Sequence, residues 1–124
     1  MPFIPQTKSL HWTFHAHDKM RFYGLSESRV RRVLHSPKRI EEGVAPKTIA
    51  FMQPSSIKTT IGGSAASNKR EETWTQEIWV MVEDKKGQRK VISAWRYPGK
   101  TKPRDSASIQ LMRQAYREYK SSPK

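Results

Sequence analysis

Two consecutive stretches of alternating apolar and polar residues predict a long β-hairpin. Alternation over residues 74–83 gives two faces: Trp74, Ile78, Val80 and Val82 on one, and Thr75, Glu77, Trp79, Met81 and Glu83 on the other. Asp84-Lys85-Lys86-Gly87 then supplies a turn, with glycine where positive φ is needed, and residues 89–97 return. Strict alternation in the returning strand predicts two faces: Val91, Ser93, Trp95 and Tyr97 on one, and Ile92, Ala94 and Arg96 on the other.

Helical spacing replaces this alternation near both ends of the chain. From His15 onward, Ala16, Met20 and Tyr23 recur at helical period, and Gly24 predicts the helix end. Ser26 is the expected N-cap of a second helix, which Pro37 stops. A third helix from Ser106 carries an apolar stripe that we expect to pack on the sheet: Ile109, Met112, Tyr116 and Tyr119.

The remaining segments complete one predicted domain over residues 10–120. Residues 10–14 fit a short strand or the entry to the first helix, 39–44 a turn or weak strand, and 48–52 a better strand. Residues 55–72 have loop composition, which predicts a mobile insertion, and 1–9 and 121–124 are expected to be flexible. The predicted class is α+β: two N-terminal helices, an antiparallel sheet of three to four strands with a prominent hairpin, and a C-terminal helix.

Composition narrows the functional classes. The chain has no cysteine, which excludes disulfides, thiolate catalysis and cysteine-based metal sites. No apolar run approaches the length of a membrane-spanning helix, and the first residues lack the apolar core of a signal peptide. We therefore expect a cytoplasmic protein that does not enter membranes.

The charge balance points to a polyanionic partner. The 124 residues include 24 Lys and Arg against 11 Asp and Glu, a net charge of +13, and most of this excess follows the hairpin turn. The predicted nucleic-acid-binding residues lie in the second helix and in a basic loop, which we define as residues 98–104: Arg29, Arg31, Arg32, Lys100, Lys102 and Arg104. The same charge also suits an acidic protein partner, and that alternative stays open.

Titratable groups are densest around the start of the first helix. His15 and Lys19, and likewise His17 and Arg21, are four residues apart and so share a helix face. The sequence lacks an HExxH motif, and the nearby cations oppose a divalent ion, so we expect neither a metal nor another cofactor. Histidine with Lys and Arg suits metal-free acid/base chemistry on an RNA phosphodiester. Packing beside Trp12 is the structural alternative for each histidine.

The run His15-Ala16-x-x-Lys19-Met20-x-x-Tyr23-Gly24-Leu25-Ser26, with Val30, Val33-Leu34 and Pro37, resembles the opening of a small prokaryotic domain family. That family is grouped with RelE-like and BrnT-like toxins, of the barnase, EndoU, colicin and RelE fold. The resemblance covers residues 11–37 and, more loosely, 74–98. It implies two helices before a curved antiparallel sheet, and a metal-independent ribonuclease paired with an acidic antitoxin. Lys19 and Tyr23 stand where the family has arginine.

Residues and resemblance together predict a catalytic set. His15 is the expected acid or base, and Lys19 and Arg96 are the expected phosphate-stabilising cations. Four nearby residues are candidates for positioning: His17, Arg21, Ser93 and Tyr97. The leading function is therefore a toxin-type ribonuclease acting on RNA, with ribosomal association open. The alternatives are a non-catalytic nucleic-acid-binding module and an interaction domain for an acidic protein.

Overall fold

The helices and strands follow the predicted order, with two strands added inside the predicted insertion. A computed structural model describes residues 9–61 and 70–122. Along the chain the elements are β1 (Ser9–Trp12), α1 (Phe14–Tyr23), α2 (Glu27–His35), β2 (Arg39–Glu42), β3 (Thr48–Pro54), β4 (Lys58–Ile61), β5 (Arg70–Thr73), β6 (Gln76–Lys85), β7 (Gln88–Pro98) and α3 (Ser106–Ser121). The α+β class, the two N-terminal helices, the hairpin and the C-terminal helix are confirmed. Within the described residues, no helix is both long enough and apolar enough to cross a membrane.

The main sheet has five strands in the order β1-β7-β6-β3-β2. The predicted three to four antiparallel strands correspond to β2, β3, β6 and β7, and β1 is a fifth strand that runs parallel to β7. β1 pairs only with residues 88–91 of β7, and α1 follows it immediately. Beyond Val91, therefore, the edge of β7 that faces β1 has no strand neighbour among the described residues. Along this edge α1 and α3, which cover opposite faces of the sheet, approach each other.

The predicted insertion at 55–72 is partly ordered. β4 and β5 pair antiparallel in a separate two-stranded sheet, with Lys58 opposite Thr73. Threonine-rich segments of this kind favour strands, which the loop composition of the whole segment concealed. Residues 1–8, 62–69 and 123–124 lie outside the described residues, whereas Ser9 of the predicted lead-in belongs to β1 and Ser121 of the predicted tail belongs to α3.

A β-bulge changes which side chains of β7 share a face. Met81 pairs with Ser93 but Val82 pairs with Val91, so Ile92 is the extra residue. Val91 therefore lies in the same core as Ala94, and Ile92 in the same core as Trp95. Strict alternation was wrong for these two positions because one inserted residue shifts the period-two pattern by one.

The sheet is covered on both faces. On one face α1 and α2 pack over the middle strands through Ala16, Met20, Leu25, Val30 and Val33. On the other, α3 contributes Met112, Ala115 and Tyr119 against a layer that includes the stacked pair Trp79 and Trp95. Burying these side chains is the main source of stability, and it fixes both helical layers relative to β7.

Local capping sets the position of α1. The Thr13 hydroxyl accepts a hydrogen bond from the Ala16 amide at 3.2 Å and donates one to the Val91 carbonyl at 2.8 Å. At the other end Gly24 has φ 67°, and the Leu25 amide donates to the Met20 carbonyl at 2.7 Å. The helix thus begins tied to β7, and its His15 and Lys19 side chains point towards α3.

Candidate functional site

An open cleft of about 550 Å³ lies between α1 and α3. We call it the α1–α3 cleft. Five of its lining residues come from α1 and one from α3: His15, Asp18, Lys19, Arg21, Phe22 and Glu118. Two predicted catalytic residues and one predicted positioning residue therefore share one concave surface. Phe22 is 77% exposed, so its aromatic ring offers the cleft a surface on which a base can stack.

A carboxylate links the two predicted catalytic residues of the cleft. Glu118 Oε1 lies 3.6 Å from His15 Nε2 and 3.2 Å from Lys19 Nζ. His15 is only 8% exposed, and within the described structure its Nε2 has no hydrogen-bond partner. An imidazole nitrogen that is buried and unpaired is uncommon, because losing water without a replacement bond costs free energy.

The pKa shifts of this group follow from burial and charge. Burial lowers the pKa of His15, and the Lys19 charge lowers it further, against the opposing effects of Glu118 and Asp18. Burial acts to raise the pKa of Glu118, but hydrogen bonds from Gln114 and Lys19 and nearby positive charge outweigh it, so this pKa is lowered. At neutral pH the imidazole is therefore neutral and the carboxylate is ionised. A neutral imidazole is able to accept a proton.

Ser93 borders a second, smaller cavity of about 50 Å³ next to the cleft. Lys19 and Glu118 line both cavities, so the two cavities share one cation and one carboxylate. The β7 position of Ser93 and the buried Trp95 beside it place this cavity on the α3 face of the sheet. Ser93 and Lys19 therefore line the same small cavity.

Arg96 is held elsewhere. Its Nε donates to the Tyr23 carbonyl at 2.7 Å and its Nη1 to Gln76 Oε1 at 2.9 Å, on the face covered by α1 and α2. Tyr23 follows His15 by eight residues in α1, which is about 12 Å along a helix axis. Arg96 lines neither cavity, so the three predicted catalytic residues do not converge on one phosphate.

Two predicted positioning residues also lie outside the cleft. His17 bonds Glu27 Oε2 at 3.0 Å and stacks on Trp12. Tyr97 packs against the core beneath α3, and β7 places it opposite Glu77 of β6. The packing role that the sequence left open for each histidine is the one that the structure gives His17.

The predicted nucleic-acid-binding residues divide into separate groups. Arg29 lies near both Arg32 and Arg96, whereas the Arg31 guanidinium lies 5.4 Å from the centre of the Trp12 ring. In the basic loop, Lys100 lies over Trp74, with its Nζ 4.4 Å from the ring centre, and Arg104 donates to the Glu42 carbonyl. Lys102 is exposed.

Three residues of the cleft were not predicted from the sequence: Asp18, Phe22 and Glu118. Phe22 follows His15 and Lys19 by seven and three residues, so helical spacing already places it on their face. Glu118 carried no comparable pattern, because its role depends on how α3 packs. Among residues 9–61 and 70–122, no three His, Asp or Glu side chains are grouped so as to hold a metal ion.

Comparison of the chain with protein-family models, with curated proteins and with solved structures gives no match. The resemblance to RelE-like and BrnT-like toxins therefore stays a prediction that depends on residues 11–37. What the residues themselves support is a cleft with a neutral imidazole, two carboxylates, two cations and an exposed aromatic ring.

Proposed function

We propose that the protein is a metal-independent ribonuclease that binds single-stranded RNA in the α1–α3 cleft. The observation that carries the proposal is the group of His15, Lys19 and Glu118 around one cavity, with the unpaired Nε2 of His15 beside the carboxylate. The role as a toxin balanced by an acidic antitoxin belongs to the same proposal, supported by the resemblance of residues 11–37.

The chemistry requires a base, positive charge and a returned proton. The neutral imidazole of His15 takes the proton of the 2′-hydroxyl while the 2′ oxygen forms a bond to phosphorus. The P–O5′ bond then breaks, and the imidazolium gives its proton to the 5′ oxygen, which restores the starting state. Lys19 and Arg21 offset the charge that grows on the phosphoryl oxygens, and Phe22 stacks on a base.

The test is cleavage of single-stranded RNA by the purified protein in excess chelator. We expect fragments that end in a 2′,3′-cyclic phosphate, which this bond exchange produces. His15→Gln removes the base and is expected to reduce the rate by roughly 10² to 10⁴. His35→Gln, on the exposed end of α2, is the matched control and keeps the rate.

Circular dichroism and the urea midpoint establish that each variant is folded. RNA that stays intact with the wild-type protein, both alone and with translating ribosomes, contradicts the proposal. A rate that falls equally for His15→Gln and His35→Gln also contradicts it, because the two changes share only the loss of an imidazole.

A second candidate is a nucleic-acid-binding module without chemistry. It is favoured by the pairing of Lys19 with Glu118 and by the position of Arg96, because both leave fewer cations free to meet a reacting phosphate. Binding that weakens steeply with salt, together with intact RNA, selects this candidate.

A further inference from the structure

Three arginines from different parts of the sequence gather on the face of the sheet that α2 covers. Arg29 and Arg32 are three residues apart in α2 and so share a helix face. Arg96 reaches the same region from β7, where the cross-strand row Gln53, Ile78, Arg96 connects β3, β6 and β7. We call Arg29, Arg32 and Arg96 the arginine cluster.

Neutral groups hold two of these guanidinium planes in place. Arg29 donates from Nη1 to Gln53 Oε1 and from Nη2 to the Pro54 carbonyl. Gln53 is itself oriented, because its amide nitrogen donates to the Ser36 carbonyl at 2.9 Å. Arg96 is fixed in the same manner by the Tyr23 carbonyl and Gln76. The charged groups are therefore positioned before any ligand arrives.

Among the residues that the structure describes, no carboxylate balances the cluster. Within the described residues, none of its three guanidinium groups lies within ion-pair distance of Asp or Glu, and the exposed Arg32 makes no hydrogen bond. The pKa of Arg29 is lowered, first by burial and then by the charges of Arg32 and Arg96. Like charges held together without a counter-ion repel, so an anion that binds among them relieves that repulsion.

We propose that Arg29, Arg32 and Arg96 form a phosphate-binding site, separate from the α1–α3 cleft, that holds the backbone of a single-stranded RNA. Arginine presents several donors in one plane and pairs with phosphate through two hydrogen bonds at once. The site itself stands on the cluster alone, and the choice of RNA as the source of phosphate rests on the function proposed above. Tyr23 ends the helix that carries Lys19 and Phe22. A single RNA strand that runs along α1 therefore reaches both the α1–α3 cleft and the arginine cluster.

The neighbouring arginines of α2 provide a matched pair of variants. Arg32 belongs to the cluster, whereas Arg31 lies against Trp12, and both are exposed. Arg31→Gln and Arg32→Gln remove the same charge from adjacent positions on one helix. A difference between them therefore reports the cluster and not the net charge of the protein.

Binding is measured by fluorescence anisotropy with a labelled 2′-O-methyl oligouridylate, which lacks the 2′-hydroxyl and so resists cleavage. Over a KCl series, Arg32→Gln is expected to weaken binding roughly tenfold and to reduce the slope of log affinity against log salt by about one. Arg31→Gln is expected to change affinity by less than about threefold. Arg32→Lys keeps the salt slope, because it keeps the charge.

Equal effects of Arg31→Gln and Arg32→Gln overturn the proposal, since the cluster then has no special part. The proposal is also overturned if poly-glutamate displaces the oligonucleotide and its own binding depends on Arg32 to the same extent. The cluster then binds an acidic protein. Inorganic phosphate that competes more weakly than the oligonucleotide supports a backbone site. If it competes equally well, the site is for the free ion, and the RNA assignment is overturned.

The two proposals fail separately. If unmodified RNA stays intact while Arg32→Gln still weakens binding, the ribonuclease proposal is contradicted and the phosphate-site proposal is kept. RNA that is cut while the two arginine variants behave alike removes the phosphate site and leaves the ribonuclease.

Discussion

The arginine cluster and the basic loop each bring three cations to the surface, and their surroundings differ. In the loop, the Arg104 side chain is bonded to the Glu42 carbonyl and Lys100 to the Glu72 carbonyl. In the cluster, Arg29 and Arg96 also bond neutral groups, but the charges of Arg32 and Arg96 lie close enough to Arg29 to lower its pKa. A count of basic residues ranks the two regions alike, whereas availability to a ligand depends on what already binds each charge.

A buried carboxylate explains why the loop is held. Glu77 is fully buried, and its two oxygens accept four hydrogen bonds: from Trp74 Nε1, Trp79 Nε1, the Thr101 amide and the Thr101 hydroxyl. Arg39 then donates to the Thr101 carbonyl and to Glu41. The loop is thus anchored on a buried carboxylate, and two of its cations, Lys100 and Arg104, bond backbone carbonyls of other segments.

The largest test of this contrast is Glu77→Gln. The amide nitrogen of glutamine cannot accept, so it faces donors that the carboxylate satisfied, and we expect a loss of about 3 kcal/mol in the free energy of unfolding. Urea denaturation measures the loss. Faster trypsin cleavage after Lys100 or Arg104 reports release of the loop, while the arginine cluster keeps its affinity for RNA.

Glu72→Gln is the control for that change. Its carboxylate pairs with Lys38 at the surface, where an ion pair contributes less than about 1 kcal/mol. Equal losses for Glu72→Gln and Glu77→Gln would show that burial of the loop's anion is not what stabilises it.

RNA affinity tests the other half of the contrast. Because the loop cations are partly engaged, Lys100→Gln with Lys102→Gln is expected to weaken binding at most about threefold, against roughly tenfold for Arg32→Gln alone. Anisotropy with the same 2′-O-methyl oligouridylate provides the measurement. If the loop double variant binds the oligonucleotide more weakly than Arg32→Gln does, the ranking of the two regions is reversed.

The local elements could be predicted because local residues decide them. Ser26 accepts from the Arg29 amide as the predicted N-cap of α2, Gly24 takes the left-handed conformation that ends α1, and Lys86 and Gly87 both have positive φ at the hairpin turn. The burial of Glu77 could also have been predicted, because alternation places it on the apolar face with Trp79 and Met81.

What sequence analysis could not supply depends on contacts between distant segments. The bulge at Ile92 and the parallel pairing of β1 arise from the register of the sheet. Glu118 reaches His15 only because α3 packs beside α1 at the edge of β7. Arg96 was predicted to join His15, but the face of β7 on which it lies directs it to Tyr23 and towards Arg29 instead.

Thr101→Val tests the anchor of the loop at a single hydroxyl. The Thr101 hydroxyl donates to Glu77 Oε1 at 2.7 Å and accepts from Arg39 Nη2 at 2.6 Å. Valine keeps the shape and loses both bonds, so we expect a loss of about 1 kcal/mol in the free energy of unfolding, measured by urea denaturation. Thr75→Val, at an exposed position before β6, is the control and is expected to be close to neutral. A loss no greater than that of the control would mean that the Thr101 amide alone secures the loop.

The pH dependence of stability extends the comparison to the cleft. There the buried His15 Nε2 has no hydrogen-bond partner among the described residues, whereas Glu77 accepts four hydrogen bonds. Because burial lowers the pKa of His15, the folded protein keeps a neutral imidazole, while the unfolded chain takes up a proton near the ordinary pKa of 6.5. Stability therefore falls as the pH drops below 6.5, and this loss levels off once the pH passes the lowered pKa of the folded state. Glu118, whose pKa is also lowered, adds a separate loss only at more acidic pH.

Urea midpoints on the two sides of pH 6.5 measure the contribution of His15. We expect His15→Gln to reduce the fall in stability between about pH 7.5 and about pH 5.5, because the variant has no imidazole to protonate on unfolding. His35→Gln, which removes an exposed imidazole, is expected to retain the wild-type fall. If the two variants lose the same part of the pH dependence, burial does not keep His15 neutral, and the chemistry of the cleft has to begin from an imidazolium.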